Sequence, residues 1–456
     1  MRPYLIFGNV GLGLFMASLD ITMVAVAFPH LTRDLGTNIL WAAWTLSIYQ
    51  LAMTIAMPLA GKLSDTLGHK RIFIFSVALF TASSLLCGLA PNIYTLIVCR
   101  FFQGIGGGSL LPSASGIVSD LFPGKRQSSI GLITSIFPIG GIVGPNLGGW
   151  IVERYSWRYV FYINIPIGIV LVWVASLLLT RSEPFAWPRI DVKGTAAFIG
   201  GMFFLMLGLN RIAEHVSLFS RFSAAAFLIL GVGLIVLFLR HESLSSNPIL
   251  DVTLLRSTPF FAANLYNMIL GSVFFSIFSF LPLYAVSVYQ LSILSSGVIL
   301  TPRSLGVIAA SAITSFHLKK WGYRWPMLLG MSVVSVTTLV LGEGLQSWSV
   351  IKAVGGKTNF LALLTLLSGL GMGITMPSAN NACIELMPEK VATIAGLRGM
   401  FRSVGGVFGV SMMTLILHLS ASPAAGFKIA FTSFGLGLLL AFPLVFMMPD
   451  GRERER

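Results

Sequence analysis

The sequence predicts an all-helical integral membrane protein. Of its 456 residues, 55% are hydrophobic and only 10% are charged, and its mean hydropathy is +0.86. An ordinary soluble domain carries roughly 25% charged residues, so we exclude a soluble enzyme, a disordered chain and a secreted disulfide scaffold. Backbone groups in lipid must bond to one another, which leaves helices or a closed barrel. Continuous apolar runs such as 73–90 and 227–239 favour helices, because barrel strands alternate apolar and polar residues.

Fourteen apolar stretches are close to the roughly 20 residues that a membrane-spanning helix needs. They lie near 5–28, 40–61, 72–90, 93–117, 128–151, 159–180, 193–210, 222–240, 259–285, 295–316, 325–342, 360–382, 392–417 and 425–447. We read the first stretch as a retained helix, because Asp20 interrupts it and no clear small-residue cleavage site follows it.

The distribution of basic residues places both termini in the cytoplasm. With the N-terminus inside, the inner segments hold 18 of the 30 Lys and Arg residues, the outer segments hold 8, and 4 lie within predicted helices. Cytoplasmic loops of membrane proteins carry this excess of Lys and Arg. The net charge of +14 therefore indicates loops that face anionic lipid, and we expect no nucleic-acid partner.

No residue pattern points to a cofactor, a metal site or an enzyme. Cys87, Cys99 and Cys383 fall in or at the end of apolar runs, where core packing is the expected role. The six histidines are scattered, and neither paired catalytic carboxylates nor a nucleophile motif is present. A receptor would need a signalling domain, and the chain outside the predicted helices is short.

The second predicted helix of each half is followed by a similar basic segment. GKLSDTLGHKR (61–71) and SFHLKKWGYRW (315–325) align with a shift of 254 residues, which places Gly68 on Gly322 and Lys70 on Arg324. Many transporters consist of two repeated halves with the substrate site between them. We therefore predict a six-helix half at 1–185, a two-helix insertion at 186–245 and a second six-helix half at 246–456.

Five segments resemble motifs of the fourteen-helix drug:proton antiporter branch of the major facilitator superfamily. They are LDITMVAVAFPHL (19–31, with alanine where asparagine is common), GKLSDTLGHKR (61–71), RFFQGIGGG (100–108), GGIVGPNLGG (140–149) and WRYVFYINIPIG (157–168). The resemblance implies the major facilitator fold, a bacterial inner membrane and proton-coupled export of small amphipathic compounds by alternating access. We expect a monomer. An importer, or a proton-coupled transporter of one lipid, siderophore or metabolite, remains the alternative.

Asp20 and Arg100 are the predicted proton-coupling residues. Asp20 is the only acidic residue well inside a predicted helix, and counting along the helices places Arg100 at a similar depth. Desolvation favours the protonated carboxyl group, whereas a nearby guanidinium favours the ionised one. An Asp that gains and loses its Arg partner between conformations would bind and release a proton, and the resemblance implies the same roles. A purely structural ion pair is the alternative.

The other candidate site residues form a gate, a hinge and a substrate cavity. The resemblance implies a cytoplasmic gate, with Asp65 facing a helix that begins near Ala392; its residues are Gly61, Asp65, Gly68, Lys70 and Arg71, and a solvated charged turn is the alternative. The hinge is read as a close-packed seam between the half-bundles. Its residues are Gly140, Gly144, Pro145, Gly148 and Gly149, and its counterpart in the second half is Gly405, Gly406 and Gly409. The cavity candidates are Arg402, Arg398, Trp44, Tyr49, Gln50, Gln103, Asn264, Tyr266 and Asn267. Helix packing is the alternative for each polar or aromatic cavity residue.

Four arginines within predicted helices, against one acid, indicate a neutral or anionic substrate. Arg402 is near the midplane and is the predicted ligand, although hydrogen bonding to backbone carbonyls is the alternative. Arg398 and Arg303 are shallower, and we expect that they can extend toward the membrane surfaces.

Overall fold

The computed structural model describes residues 2–122, 129, 133, 136–179, 191–213, 218–245, 256–343, 355–386 and 391–450. Within these ranges the side chains of a few residues, including Asp65 and residues 391–397, lie outside the description. The described residues form helices and connecting turns, without a strand. The chain divides into two compact units, Met1–Thr195 and Ala196–Arg456.

Seven helices with described bounds lie in the first unit before the chain reaches the second. They are α1 (Arg2–Asp34), α2 (Ile39–Leu67), α3 (His69–Leu89), α4 (Ile93–Leu121), α5 (Ile136–Arg154), α6 (Tyr159–Tyr162) and α7 (Asn164–Leu178). Asn38 and Asn92 cap α2 and α4, since their side chains accept hydrogen bonds from the first-turn N–H groups of Trp41 and Thr95.

Ten further helices follow, of which α8 begins just before the boundary between the units. They are α8 (Val192–Ala213), α9 (Leu218–Leu244), α10 (Thr258–Ser287), α11 (Ile293–Val298), α12 (Thr301–Trp321), α13 (Arg324–Glu343), α14 (Lys357–Ile384), α15 (Val391–Leu419), α16 (Pro423–Leu439) and α17 (Phe442–Phe446).

The structure confirms the predicted all-helical membrane fold. Each of the fourteen apolar stretches overlaps a helix of the described residues, although most of 128–135 in the fifth stretch lies outside them. The stretches 159–180, 295–316 and 425–447 each contain two helices in succession. In the described part of the chain, eleven helical segments are long and apolar enough to cross a membrane, and Lys193–Leu209 is a shorter apolar helix.

The two units share one plan of helix packing. In the first unit α1 packs against α5 and α2 packs against α4, while in the second unit α10 packs against α15 and α12 packs against α14. Glycines allow these helices to approach closely. A Cβ atom at Gly108 would lie 2.8 Å from Cα of Met53, and one at Gly373 would lie 2.8 Å from Cβ of Ala310. The internal repeat read from the two basic segments is therefore also a repeat of packing.

Candidate functional site

Asp20 and Arg100 meet inside the first unit. Asp20, on α1, is 0% exposed and Arg100, on α4, is 1% exposed. Nη1 of Arg100 donates a hydrogen bond to Oδ2 of Asp20 over 2.6 Å. Two buried ions cost several kcal/mol each to desolvate, so the pair persists only with good geometry and additional hydrogen bonds.

Arg100 has further partners on α2 and on its own helix. Its Nε donates to the carbonyl oxygen of Thr45 over 3.1 Å, and its Nη1 also donates to Oε1 of Gln103 over 2.6 Å. The guanidinium carbon lies 4.0 Å from the ring centroid of Tyr49, a cation–π distance. Arg100 therefore keeps several contacts that do not depend on the charge of Asp20.

The second oxygen of Asp20 accepts two amide hydrogen bonds. Nε2 of Gln103 donates to Oδ1 over 2.8 Å, and Nδ2 of Asn164, at the start of α7, donates over 3.0 Å. Both amides also lie within hydrogen-bond distance of Oγ of Ser84 on α3, at 2.8 and 3.4 Å. Among the described residues, the side chains bonded to this carboxyl group all act as hydrogen-bond donors. The cluster of Asp20, Arg100, Gln103, Asn164 and Ser84 is called the acid network below.

The acid network differs in membership from the residues proposed from the sequence. Gln103 and Tyr49, candidates for the cavity wall, lie against the ion pair. Asn164 and Ser84 were not singled out, although Asn164 is the polar residue of the segment WRYVFYINIPIG. A polar side chain in an otherwise apolar helix start was the available signal.

The remaining cavity candidates occupy separate places in the two units. Trp44 is buried and Gln50 is half-buried on α2. On α10, the side-chain amides of Asn264 and Asn267 donate to the carbonyl oxygens of Phe260 and Ala263, one turn earlier. Tyr266, also on α10, is 0% exposed. These bonds within one helix fit the packing alternative as well as substrate contact.

The arginines of the second unit differ from the expectation in one respect. Arg303 is 4% exposed, and its guanidinium carbon lies 4.6 Å from the ring centroid of Phe274 and 5.0 Å from that of Phe278. The expected extension toward the membrane surface is therefore wrong, because these rings on α10 hold the side chain inside the unit. Arg402 also lies over Phe274, at 4.8 Å, and Arg398 is half-buried one turn earlier on α15.

The predicted hinge glycines pack within the first unit. Cβ atoms at Gly140, Gly144 and Gly148 would collide with Ser18, Thr22 and Met23 of α1. The seam between the half-bundles stays a prediction, because these contacts show only that α5 approaches α1 closely within the first unit. Pro145 lies in the same helix, and Gly149 follows as a buried residue. In the second unit, Gly405 and Gly409 similarly face Met268 and Ser272 of α10.

The segment 61–71 is mostly helix and not a loop. α2 continues through Gly61 to Leu67, and α3 begins at His69, so Gly68 alone connects them. Its φ of +95° explains the sharp turn, and Gly322 turns the chain in the same way at φ +72° between α12 and α13. Arg71 is exposed on α3, and the side chain of Asp65 lies outside the described residues.

The residues after these two glycines make equivalent contacts. Lys70 donates to the carbonyl oxygen of Ser176 over 2.8 Å and to that of Leu179, at the end of α7. Arg324 donates over 3.2 Å to the carbonyl oxygen of Met448, just after α17. A cation at the last carbonyls of a helix satisfies orphan acceptors and complements the helix dipole.

Acidic residues complete both turns. Nε2 of His69 lies 3.6 Å from Oδ2 of Asp120, near the end of α4. The Tyr323 hydroxyl donates to Oε1 of Glu385 over 2.8 Å, directly after α14. The shift of 254 residues thus relates Gly68, His69 and Lys70 to Gly322, Tyr323 and Arg324 in position, whereas their partners are offset by other amounts.

Two repeated helical units with a charge pair buried in one of them have the architecture of a secondary transporter. The family model described as the Major Facilitator Superfamily matches residues 10–410. The chain therefore belongs to the major facilitator superfamily, which makes it a multi-span membrane transporter of small molecules and not an enzyme.

Curated relatives include several multidrug transporters. The multidrug transporter protein MdtP of Bacillus subtilis (strain 168) is 32% identical over 91% of this chain and 75% of its own length. The multidrug resistance protein B homolog of Mycobacterium tuberculosis (strain ATCC 25618 / H37Rv) is 30% identical over 88% and 74%. The putative multidrug resistance protein MdtD of Escherichia coli O81 (strain ED1a) is 28% identical over 91% and 86%.

Solved structures with the same fold include peptide transporters. A POT family transporter in complex with 5-aminolevulinic acid has a TM-score of 0.71 at 14% identity, covering 95% of this chain and 94% of that one. A peptide transporter POT in complex with sulfate has a TM-score of 0.71 at 16% identity, covering 97% and 93%. At this identity the likeness shows the fold alone.

Proposed function

We propose that the protein is a proton-coupled antiporter that exports small amphipathic compounds, such as drugs or metabolites, by alternating access. The printed names of relatives at 28–32% identity support a multidrug substrate range. The basic-residue bias supports an inner-membrane location with both termini in the cytoplasm. We also propose the division into two six-helix halves and a two-helix insertion at 186–245.

The acid network carries the proposal of proton coupling. Asp20 is fully buried on a membrane-spanning helix, where an ionisable residue is expensive and usually functional. It joins α1 to α4 through Arg100 and to α7 through Asn164. A change in its charge therefore alters contacts among three helices at once.

Protonation of Asp20 removes the charge that attracts Arg100 and replaces an acceptor with a donor. Arg100 remains bonded to Thr45 and Gln103 and stacked on Tyr49, so the contact between α4 and α2 survives. The contact between α1 and α4 weakens selectively. Protonation thus favours a rearrangement of α1, and return of Asp20 to its ionised form restores the pair.

The driving force for export is adequate. Moving one charge across 100 mV releases roughly 2.3 kcal/mol, before any contribution from a pH gradient. The alternative function is uptake, or transport of one particular lipid, siderophore or metabolite, on the same scaffold. The antiporter-like segment GGIVGPNLGG favours export.

Transport in inside-out vesicles tests the proposal. Vesicles containing the protein and acidified inside should accumulate at least one fluorescent amphipathic compound, and nigericin should abolish the accumulation by removing the pH gradient. The purified protein should also release protons when the same compound is added. Accumulation that does not respond to the gradient, or none above protein-free vesicles across a broad compound panel, would contradict the proposal. Movement in the opposite direction would favour the importer.

A further inference from the structure

Two arginines of the second unit face one aromatic ring. The guanidinium carbons of Arg303 on α12 and Arg402 on α15 lie 4.6 and 4.8 Å from the ring centroid of Phe274 on α10. Each has a second ring nearby, Phe278 for Arg303 at 5.0 Å and Phe275 for Arg402 at 5.8 Å. The two guanidinium carbons are therefore no farther apart than the sum of their distances to the Phe274 centroid, about 9.4 Å.

Close helix crossings hold both arginines in place. A Cβ atom at Gly369 of α14 would lie 2.8 Å from the backbone carbonyl carbon of Arg303. A Cβ atom at Gly271 of α10 would likewise lie 2.8 Å from that of Arg402. Because each backbone is pressed against a glycine of a neighbouring helix, the two side chains start from fixed positions. The fold of the second unit therefore fixes where both arginine side chains begin.

Neither arginine has an ionic partner among the described residues. Their Nε atoms are buried and lack a hydrogen-bond acceptor there. Three described acids of this unit bond elsewhere, since Glu343 pairs with Lys428, Glu385 accepts from Tyr323, and Asp450 accepts from the start of α13. Buried charge that is neither paired nor hydrogen-bonded is strongly unfavourable. Stacking on an aromatic ring stabilises a cation, but it gives the N–H groups of the guanidinium no hydrogen-bond acceptor.

We infer that Arg303 and Arg402 together bind the carboxylate or phosphate group of an anionic amphipathic substrate. The inference rests on the proposed transport function and names a substrate class for it. Planar guanidinium groups recognise such oxyanions through paired hydrogen bonds. Phe274, Phe275 and Phe278 supply an apolar surface beside the anion, which suits a molecule with one charged end and one aromatic or aliphatic end. We call this set the arginine–phenylalanine site.

Three matched pyrene probes test the inference by separating charge from shape. They are 1-pyrenebutyrate, its methyl ester and the corresponding butyl-trimethylammonium compound, measured by fluorescence anisotropy with the purified full chain in phosphatidylcholine nanodiscs. Pyrenebutyrate should bind more tightly than the ester, and the cation should bind most weakly. Tighter binding of the cation than of the other two would overturn the inference.

Arginine variants locate the binding. Arg303→Gln and Arg402→Gln should each weaken pyrenebutyrate binding about tenfold or more, equivalent to at least about 1.4 kcal/mol, and should leave the ester within about twofold. Arg240→Gln is the control, because Arg240 is an exposed arginine on α9 of the same unit; it should stay within about twofold. Equal effects of all three variants, or none, would overturn the inference.

Lysine variants and lipid composition separate the remaining explanations. Arg402→Lys keeps the charge but loses the paired hydrogen bonds, so its affinity for pyrenebutyrate should fall between those of wild type and Arg402→Gln. It also replaces any Gln variant that does not elute as a folded species.

Adding phosphatidylglycerol should change pyrenebutyrate affinity by less than about twofold. Full displacement by this lipid would instead assign the site to a lipid headgroup and overturn the substrate role. Proton-driven accumulation of the ester or the cation would still support the antiporter, so the two proposals can fail separately.

Discussion

Arg100 lies with Nη1 2.6 Å from Oδ2 of Asp20, and this contact ties α4 to α1 where both side chains are withdrawn from solvent. The relationship is asymmetric. Arg100 has other partners on α2 and α4, whereas the charge of Asp20 is compensated chiefly by Arg100. We therefore expect protonation of Asp20 to weaken the contact between α1 and α4.

Removing Arg100 alone should destabilise the protein more than removing both charges. Arg100→Gln leaves a buried carboxylate without its cation, a change that costs about 3–5 kcal/mol in buried pairs. The double variant Asp20→Asn, Arg100→Gln leaves no buried charge and should recover much of the loss. Thermal unfolding of Arg100→Gln, Asp20→Asn and the double variant at pH 7 measures this. A loss in the double variant equal to the sum of the single losses would show that the residues are not coupled.

Asn164→Ala should lower the rate of proton-driven transport. The variant removes one hydrogen bond to the carboxylate of Asp20, an interaction of about 1.5–3 kcal/mol. The link from α7 to α1 through Asp20 is then lost. Asn359→Ala is the control, because Asn359 is exposed and its amide donates to the carbonyl oxygen of Gly355, four residues earlier. An initial transport rate unchanged in Asn164→Ala would exclude Asn164 from proton coupling.

Gly144→Ala should lower both stability and transport. A Cβ atom at Gly144 would collide with Thr22 and lie 3.3 Å from the carbonyl oxygen of Leu19, beside Asp20 on α1. Overpacking of this kind typically costs about 1–3 kcal/mol. Gly8→Ala, also on α1 but with open space around it, should behave like wild type. Melting temperature and initial transport rate are the readouts, and equal effects of the two variants would refute a special role for the α1–α5 contact.

Asp65→Asn should weaken the closed cytoplasmic gate. A carboxylate at a helix N-terminus contributes about 0.3–1 kcal/mol when exposed and up to about 2 kcal/mol when partly buried, so its loss shifts populations without unfolding the protein. Cysteines introduced into the inner cavity should label faster. Glu343→Gln, which removes an exposed acid, should leave labelling unchanged. Wild-type labelling rates with intact transport in Asp65→Asn would contradict the bracing role.

The sequence was sufficient to predict helix positions and the meeting of Asp20 with Arg100. Long apolar stretches define spanning helices directly, and depth along two helices places an acid and a base at one level. The repeat between Gly68 and Gly322 was also readable, since a glycine that turns the chain leaves a recognisable basic context.

The surroundings of these residues could not be predicted, because spacing along one helix does not reveal which neighbouring helix it faces. Asn164 donates to Asp20 across a helix boundary, and Ser84 accepts from Asn164 and Gln103 across others. Arg303 looked free to reach the membrane surface until Phe274 and Phe278, from another helix, were placed beside it. The glycine spacing around Gly144 predicted that another helix approaches closely, but it did not reveal that this helix is α1.

Uphill transport by the Asp20→Asn variant tests the central claim most directly. The variant keeps the size of the side chain and much of its hydrogen bonding, but it cannot take up a proton. In proteoliposomes with an imposed pH gradient it should fail to accumulate substrate, while exchange without a gradient and the elution profile of the purified protein remain close to wild type. Asp20→Glu, which retains an acid, should keep part of the uphill activity. Wild-type uphill accumulation by Asp20→Asn would contradict the assignment of Asp20 as the proton carrier.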